Sequence, residues 1–590
     1  MIRKKETKVK TKHQKKYNLF KISLIILILL LVIFFYFFII DSLVGTPDFD
    51  ETVITSNPDS NTFDNDNFTP NDISAPTITN FVIPPTSTSL DVPITTFIAT
   101  DDFAVTGYKL TETSTAPSAS AIGWSATAPT TYSFTNNGEK TLYAWVKDAA
   151  GNVSKSANSA VVIAPHFYYV APYGNDSSKG DVNHPFFTIK GAFDNSDEPI
   201  VAGDIIYLRG GRYNYRSTDN QIIDGKNGTP TSPIMILAYP TEKPVFDYLM
   251  ASLKYIDYGL IISNSNYLYI KGIRITNMIQ KSTDYFGGGN YSNALGGVFI
   301  TNGSSNNIIE QLEVDNIGGF GFNIKMENGV GSNNNLVLNC DSHDNSDYYS
   351  NPPYVLSKGF IDSSDGTIYR GCRAWKNSAG GFDLNANNGY ITFENCWAFW
   401  NGYRPLTFIS TRIGVGFKLG PSTDNNLQII KRTLKNCLAA DNSVAGFDDN
   451  QGEYGGSGSE LYNCTSYMHP VGYAFNKEGI TYILKNNLSY LDDIPAYEPN
   501  SKSIYTNNSW DSSVFVDAGD FRGGSIFNLD KPRKEDGSLP EVLFLHLNPK
   551  SNLINAGIPA TGLDLIDAGT PITGMPYNGT APDIGAFETQ

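Results

Sequence analysis

One pattern of apolar and polar positions recurs through the second half of the chain. ITFENCWAFWNG (391–402), RTLKNCLAADNS (432–443) and SELYNCTSYMHP (459–470) share the frame apolar-x-Asn-Cys-x-small. NLVLNCDSHDNS (335–346) and TIYRGCRAWKNS (367–378) fit it too. LYIKGIRITNMI (268–279), NIIEQLEVDNIG (307–318) and YILKNNLSYLDD (482–493) continue it without cysteine. The aligned positions are Ile273, Leu312, Cys340, Cys372, Cys396, Cys437, Cys464 and Leu488, with gaps of 39, 28, 32, 24, 41, 27 and 24. Short strands that repeat every ~22–28 residues, with loops of variable length, predict an all-β, right-handed parallel β-helix over 166–590. The shortest gaps are bare coils, and the longer ones add a loop. FFTIKGAFDNS (186–196) reads as a short amphipathic helix that caps the first coil, where strand edges would otherwise be unpaired.

Upstream the periodicity changes. From 76 to 164 short alternating segments such as TGYKLTET and KTLYAWVKDAAGNVS are separated by turn residues, which predicts a β-sandwich. The segment resembles the bacterial Ig-like repeats that decorate secreted proteins, and the resemblance implies a stalk. Residues 41–75 read as an acidic flexible linker rich in Asp, Asn, Pro, Ser and Thr. Residues 22–40 form an apolar run interrupted only by Ser23 and Tyr36. At about 1.5 Å per residue in a helix, that run nearly spans a bilayer core. The preceding basic tail, 1–21, should stay cytoplasmic. This predicts a transmembrane signal-anchor with the rest of the chain at the cell surface; a cleaved signal peptide and a secreted product are the alternative.

Charge sharpens this. The formal −16 of the chain combines +8 on residues 1–21 with −24 on the remainder. An acidic exported portion argues against nucleic acid as a partner. The five cysteines substitute for Ile and Leu in the repeat, so they read as small buried side chains rather than as a disulfide framework or a metal set.

A second frame carries the candidate chemistry. Gly-Phe recurs at Gly321-Phe322-Asn323, Gly359-Phe360-Ile361, Gly381-Phe382-Asp383, Gly416-Phe417-Lys418 and Gly446-Phe447-Asp448, with Gly472-Tyr473-Ala474-Phe475-Asn476 as a looser sixth. Glycine permits a bend, Phe fills the core, and the next residue should point outward. Asn323, Ile361, Asp383, Lys418, Asp448 and Asn476 are thus expected in one solvent-facing column. Lys418 would lie about 5 Å from both Asp383 and Asp448. A surface salt-bridge ladder is the plainer account of such a column. A proton-abstracting lysine is the other. Each of two carboxylates at that distance favours the ammonium by roughly 1–3 kcal/mol, whereas a base must be neutral.

Residues 166–590 resemble the family 9 polysaccharide lyases, pectate lyases built on a right-handed β-helix. YYVAPYGNDSSKG (168–180), AGDIIYLRGGRYN (202–214), GCRAWKNSAGGFDL, GFKLG, LKNCLAADNSVAGFDDN and the closing LINAGIPATGLDLIDAGTPITGMPYNGTAPDIGAFE follow the family's order. The resemblance implies that Lys418, in GFKLG, removes the C5 proton of a uronate, and that four aspartates hold a Ca²⁺ bridging to the substrate carboxylate before β-elimination. Among those calcium positions Asp383 retains its carboxylate. Lys358, Ala379 and Gly380 stand where the other acids are expected. Lys358 is then a candidate to bind the uronate directly, with Asp448 as a second substrate contact. Asp362, Asp365, Asp344 and Asp347 are further candidate ligands from loops, and nothing in the sequence places them at the vacated positions. The expected partner is a uronate-containing polysaccharide. A non-catalytic β-helix that binds glycans or neighbouring cells is the competing function, and a C5-epimerase would share the first step.

Overall fold

The computed structural model describes residues 72–590, apart from 217, 218, 220, 252–257, 281–294, 351, 385, 386, 388, 421–429, 450–457, 512, 513, 559–563, 568, 569, 574–577 and 590. The basic tail, the apolar run at 22–40 and nearly all of the acidic linker lie outside the described residues. Among the described residues no helix is long and apolar enough to cross a membrane.

Residues 77–163 form short strands. Gly107–Thr111, Gly138–Lys147, Ala157–Ile163 and Thr86–Ser87 make one sheet, and Thr77–Val82 with Thr96–Thr100 and Asp91–Pro93 with Thr131–Ser133 make two pairs. The alternation in Thr141–Val146 buries Leu142 and Ala144 with Phe81, Val92, Phe134, Val161 and Ile163 in a separate core.

From Phe167 onward the chain winds through three parallel sheets of twelve, ten and ten strands among the described residues. The first runs from Phe167–Val170 to Ile504–Thr506, the second from Gly211–Asn214 to Leu488–Tyr490, and the third from Ile222–Asp224 to Ile494–Ala496. Each full coil supplies one strand to each sheet, and these strands of two to seven residues turn alternate side chains into a shared core. The helix Ile189–Asn195 packs its Ile189, Ala192 and Phe193 into the same core. Thr188 caps it, its Oγ1 accepting from Gly191 N at 2.7 Å.

The cysteine ladder is continuous and buried from Cys340 to Cys464. The sequence alignment slips at its end. Leu488 pairs with Thr465, so the position above Cys464 belongs to Asn487, whose Oδ1 accepts from Cys464 N at 2.9 Å. The residue before each ladder position turns the corner. Asn339, Asn395, Asn436, Asn463 and Asn486 all have φ between 51° and 58°, a left-handed conformation that Asn tolerates better than most residues. They therefore set the bend, and a different set of asparagines builds the internal amide ladder. Asn345, Asn377, Asn401 and Asn442 follow the cysteines by five residues. Asn345 donates to Asn377 at 2.8 Å, Asn377 to Asn401 at 3.0 Å and Asn401 to Asn442 at 2.9 Å. His469 takes the next place, 3.1 Å from Asn442. This fully buried ladder pins the corner between the second and third sheets, each amide meeting the next instead of water.

Beyond that corner the Gly-Phe frame stacks in register. Phe322, Phe360, Phe382, Phe417, Phe447 and Tyr473 form a column of parallel rings with centroids 4.7–5.1 Å apart, the spacing of the strands themselves. The glycines serve close approach rather than a bend. A Cβ on Gly381 would lie 2.5 Å from Gly416 O, and one on Gly416 would lie 2.7 Å from Gly446 O. The sixth copy differs from expectation: Asp448 pairs with Ala474, and Asn476 falls outside the column.

The C-terminal segment lies across the second sheet. Phe521, Leu529, Val542, Phe544 and Leu547 pack on Trp375, Trp397, Phe399 and Leu438. Arg533 from this segment and Arg373 from the sheet both grip the buried carboxylate of Asp341, at 2.6 Å each.

Candidate active site

The Phe stack fixes the residues that follow it. Ile361 pairs with Asp383, Asp383 with Lys418, and Lys418 with Asp448 on successive coils. The column is less open than the sequence suggests. Asp383 is 2 % exposed, while Lys418 and Asp448 are half-buried. Asp383 is covered because two ammonium groups converge on its Oδ2. Lys358 Nζ lies 2.8 Å away and Lys418 Nζ 3.5 Å away. Lys358 comes from the long loop before Phe360–Asp362, one coil before Asp383, and reaches across to it.

These groups floor a cavity of about 720 Å³. Two loops that join the second sheet to the third wall it, one contributing Leu356 and Lys358, the other Arg412 and Ile413. Its charged lining is Lys358, Arg412 and Lys418 against Asp383 and Asp448, a surplus of one positive charge in a strongly acidic chain. Arg412 escapes sequence analysis because only the fold of its loop brings it to the column. It stands at φ 71°, an unusual backbone state for a non-glycine residue.

At two of the positions where the resemblance places calcium ligands, Ala379 and Gly380, no donor side chain is present. Ala379 is buried, and its N donates to Ser357 O. A Cβ on Gly380 would already be 3.1 Å from Val415 O. The nearby acids are committed elsewhere. Asp347 accepts from the backbone N of Val355, Leu356 and Ser357 and from Ser378 Oγ. Asp362 points into the coil, bound by Ser364 Oγ at 2.6 Å and Tyr369 OH at 2.9 Å, and burial pushes its carboxyl above the usual range. Asp344 sits 2.8 Å from His343 Nδ1, and Asp365 caps Tyr390 N at 2.7 Å. Among the described residues, the acid groups compact enough to hold an ion are Glu313 with Asp315 and His343, and Asp72 with Asp101 and Asp102; neither contains Asp383. Arg274 already pairs with both Glu313 and Asp315.

A buried arginine supports the column from behind. Arg432 is fully buried, and its guanidinium donates to Leu419 O at 2.8 Å, to Asn387 O at 2.6 Å and to Gly389 O. It ties the chain just after Lys418 to the chain just after Asp383. Burial lowers its pKa to about 10. Asp448 and Asp449 diverge as strand neighbours should: Asp448 lines the cavity, whereas Asp449 is buried against Tyr482 OH.

The chain is a three-sheet parallel coil with a lysine-carboxylate column on one face, and comparison with known proteins identifies its family. Residues 168–487 match the family described as "Pel9A-like, right handed beta helix region", and the chain belongs to that family. It is 30 % identical to pectate lyase L of Dickeya chrysanthemi over 437 residues, which are 71 % of this chain and 90 % of the relative. The crystal structure of pectate lyase Pel9A aligns with a TM-score of 0.58 at 27 % identity, over 72 % of this chain and 97 % of the other. A solved rhamnogalacturonan lyase aligns with a TM-score of 0.55 at 26 % identity, over 65 % and 97 %.

Proposed function

We propose that this chain is a polysaccharide lyase that cleaves a uronate-containing glycan by β-elimination, with Lys418 as the base. The observation that supports this reading most directly is the sharing of one buried carboxylate by two lysines. Asp383 carries a single negative charge, and Lys358 neutralises it at 2.8 Å. With Lys418 neutral, the cavity still holds two cations, Lys358 and Arg412, against two carboxylates, Asp383 and Asp448, so its lining stays balanced without the Lys418 charge.

The step balances within the cavity. Neutral Lys418 Nζ takes the proton from C5 of the uronate. The C–H electron pair forms the C4–C5 double bond, the C4–O4 bond breaks, and the departing oxygen is protonated from solvent. As the proton leaves, negative charge builds on the uronate carboxylate. Lys358 and Arg412 are positioned to meet that charge, and fixed cations in a partly enclosed site stabilise it more than water does. Asp448 accepts hydrogen bonds from sugar hydroxyls. We infer that Lys358 supplies the positive charge that the family resemblance assigns to Ca²⁺. One monovalent cation stabilises an enediolate less than a divalent one, so the turnover is expected to be slow.

The names of the relatives suggest two substrates for trial, polygalacturonate and rhamnogalacturonan. Either should yield a 4,5-unsaturated uronide, read by its ultraviolet absorbance, and Lys418→Ala should abolish it. Absence of this product on both polymers, with retention of polymer binding, would instead favour a non-catalytic glycan-binding protein. The Asp383–Lys418 pair at 3.5 Å is the observation that would then carry a purely structural role for the column. We further propose that the apolar run at 22–40 anchors the chain at the cell surface, and that residues 76–164 act as an Ig-like spacer lifting the β-helix from the membrane.

A further inference from the structure

A second cleft, of about 390 Å³, opens on the other side of the loop that carries Arg412. Tyr403 and Ser410 bridge to make this loop a hairpin, closed by Arg404 N to Ile409 O at 3.0 Å. One flank of the hairpin gives Arg412 and Ile413 to the catalytic cavity, and the other gives Tyr403, Arg404 and Phe408 to the second cleft. The opposite wall is Trp400 and Phe527, with ring centroids 5.3 Å apart. Phe527 belongs to the C-terminal segment, so the cleft exists only because that segment crosses the sheet.

The charges of the cleft are mostly closed. Lys376 pairs with Asp530 at 3.3 Å, and Asp344 with His343 at 2.8 Å. Arg404 is the exception. Among the described residues no carboxylate lies within ion-pair distance of it, and its guanidinium hangs over the Tyr354 ring at 5.6 Å. Phe408 and Phe527 are both well exposed and face the same space. A cleft with aromatic walls and a single guanidinium without an acid partner suits one pyranose ring that carries a carboxylate. The ring packs its C–H face on the aromatics while the guanidinium takes the carboxylate in a bidentate grip. The volume is in the range of small-ligand sites.

We propose that this cleft is an accessory subsite for a uronate residue of the same polysaccharide, distant from the bond that is cut, with Arg404 as its carboxylate receptor and Tyr403, Trp400, Phe408 and Phe527 as its walls. The proposal rests on the uronate reading above. The occupant follows from the hairpin, which is common to both clefts and makes them neighbours on the same coils. A polymer that fills both gains effective concentration at the first, whereas a short oligosaccharide does not.

The test uses the full chain and its Arg404→Gln and Phe408→Ala variants, two substitutions at exposed positions. Retardation in gels cast with polygalacturonate reads binding without turnover. Unsaturated-product formation on polygalacturonate and on a galacturonate trimer reads the consequence. The variants are expected to lose most of the retardation and to raise KM on the polymer by about fivefold or more, with kcat/KM on the trimer changed by less than about twofold. Equal retardation of all three proteins, including none at all, overturns the subsite, as does an equal loss on trimer and polymer. Retardation that depends on Arg404 without any product leaves the subsite standing and removes the lyase reading instead.

Discussion

Asp341 and Asp383 pose the same electrostatic problem and receive opposite solutions. Each is a buried carboxylate facing two cations. Asp341 is gripped by Arg373 and Arg533 beneath the C-terminal segment. Both arginines hold its carboxyl below the usual range despite burial. Guanidinium groups do not give up their protons, so the arrangement is a lock. Asp383 is met by lysines at 2.8 and 3.5 Å beside an open cavity. Ammonium groups as a class hold their protons less tightly than guanidinium groups, and the longer of the two contacts is the one that the proposed mechanism uses. On the proposed reading, the same charge count gives a staple where the chain covers it and a reactive centre where it does not.

The comparison is sharpened by substitutions on both sides. Lys418→Ala should reduce product formation by about a thousandfold or more, while shifting the unfolding midpoint little, because Lys358 still covers Asp383. Arg373→Ala should do the reverse. It leaves Asp341 with half its partners in a buried place and should cost roughly 3–5 kcal/mol in denaturant unfolding. Lys358→Ala should sit between them, with a fall in kcat of about ten- to a hundredfold and a modest loss of stability. If Lys358→Ala proved as destabilising as Arg373→Ala and left kcat intact, the contrast would collapse.

A third carboxylate gives a pH-dependent effect of smaller size. Burial, with a contribution from Asp448, raises Asp449 to a pKa of about 7 despite its bond from Tyr482. Because the folded value lies above the unfolded one, the stabilisation is full below about pH 4 and is lost as pH rises through about 7. Asp449→Asn should therefore leave the thermal midpoint at pH 4 unchanged. It should raise stability at pH 8 by roughly 2–4 kcal/mol, flattening the profile between those limits.

The coiled architecture was legible because its repeat is written in side chains that must stack. Cys340 through Cys464 and the Phe column have one partner above and one below, so the alignment of the sequence is an alignment in space. The expectation failed where the stacked residue changes character, at Asn487 and at Ala474. The amide ladder was equally visible in retrospect, as an Asn five residues after each of four cysteines. Asp383 and Lys418 were found together because they sit in the repeat. Their burial was not foreseen, since it depends on Lys358 folding over from a loop. Arg412, Arg404 and Phe527 left no periodic trace at all. They reach their clefts through a hairpin and a C-terminal crossing whose paths are set by long-range packing, and Arg432 acts on backbone carbonyls that no spacing rule connects.

Formation of unsaturated uronide by the purified chain in excess chelator is the most direct test of a lyase in which Lys358 replaces the metal. The prediction is that product accumulates from polygalacturonate or rhamnogalacturonan at a rate within about twofold of that without chelator, and that Lys418→Ala gives none. Product that disappears with chelator and returns with added Ca²⁺ would contradict the replacement of the metal by Lys358.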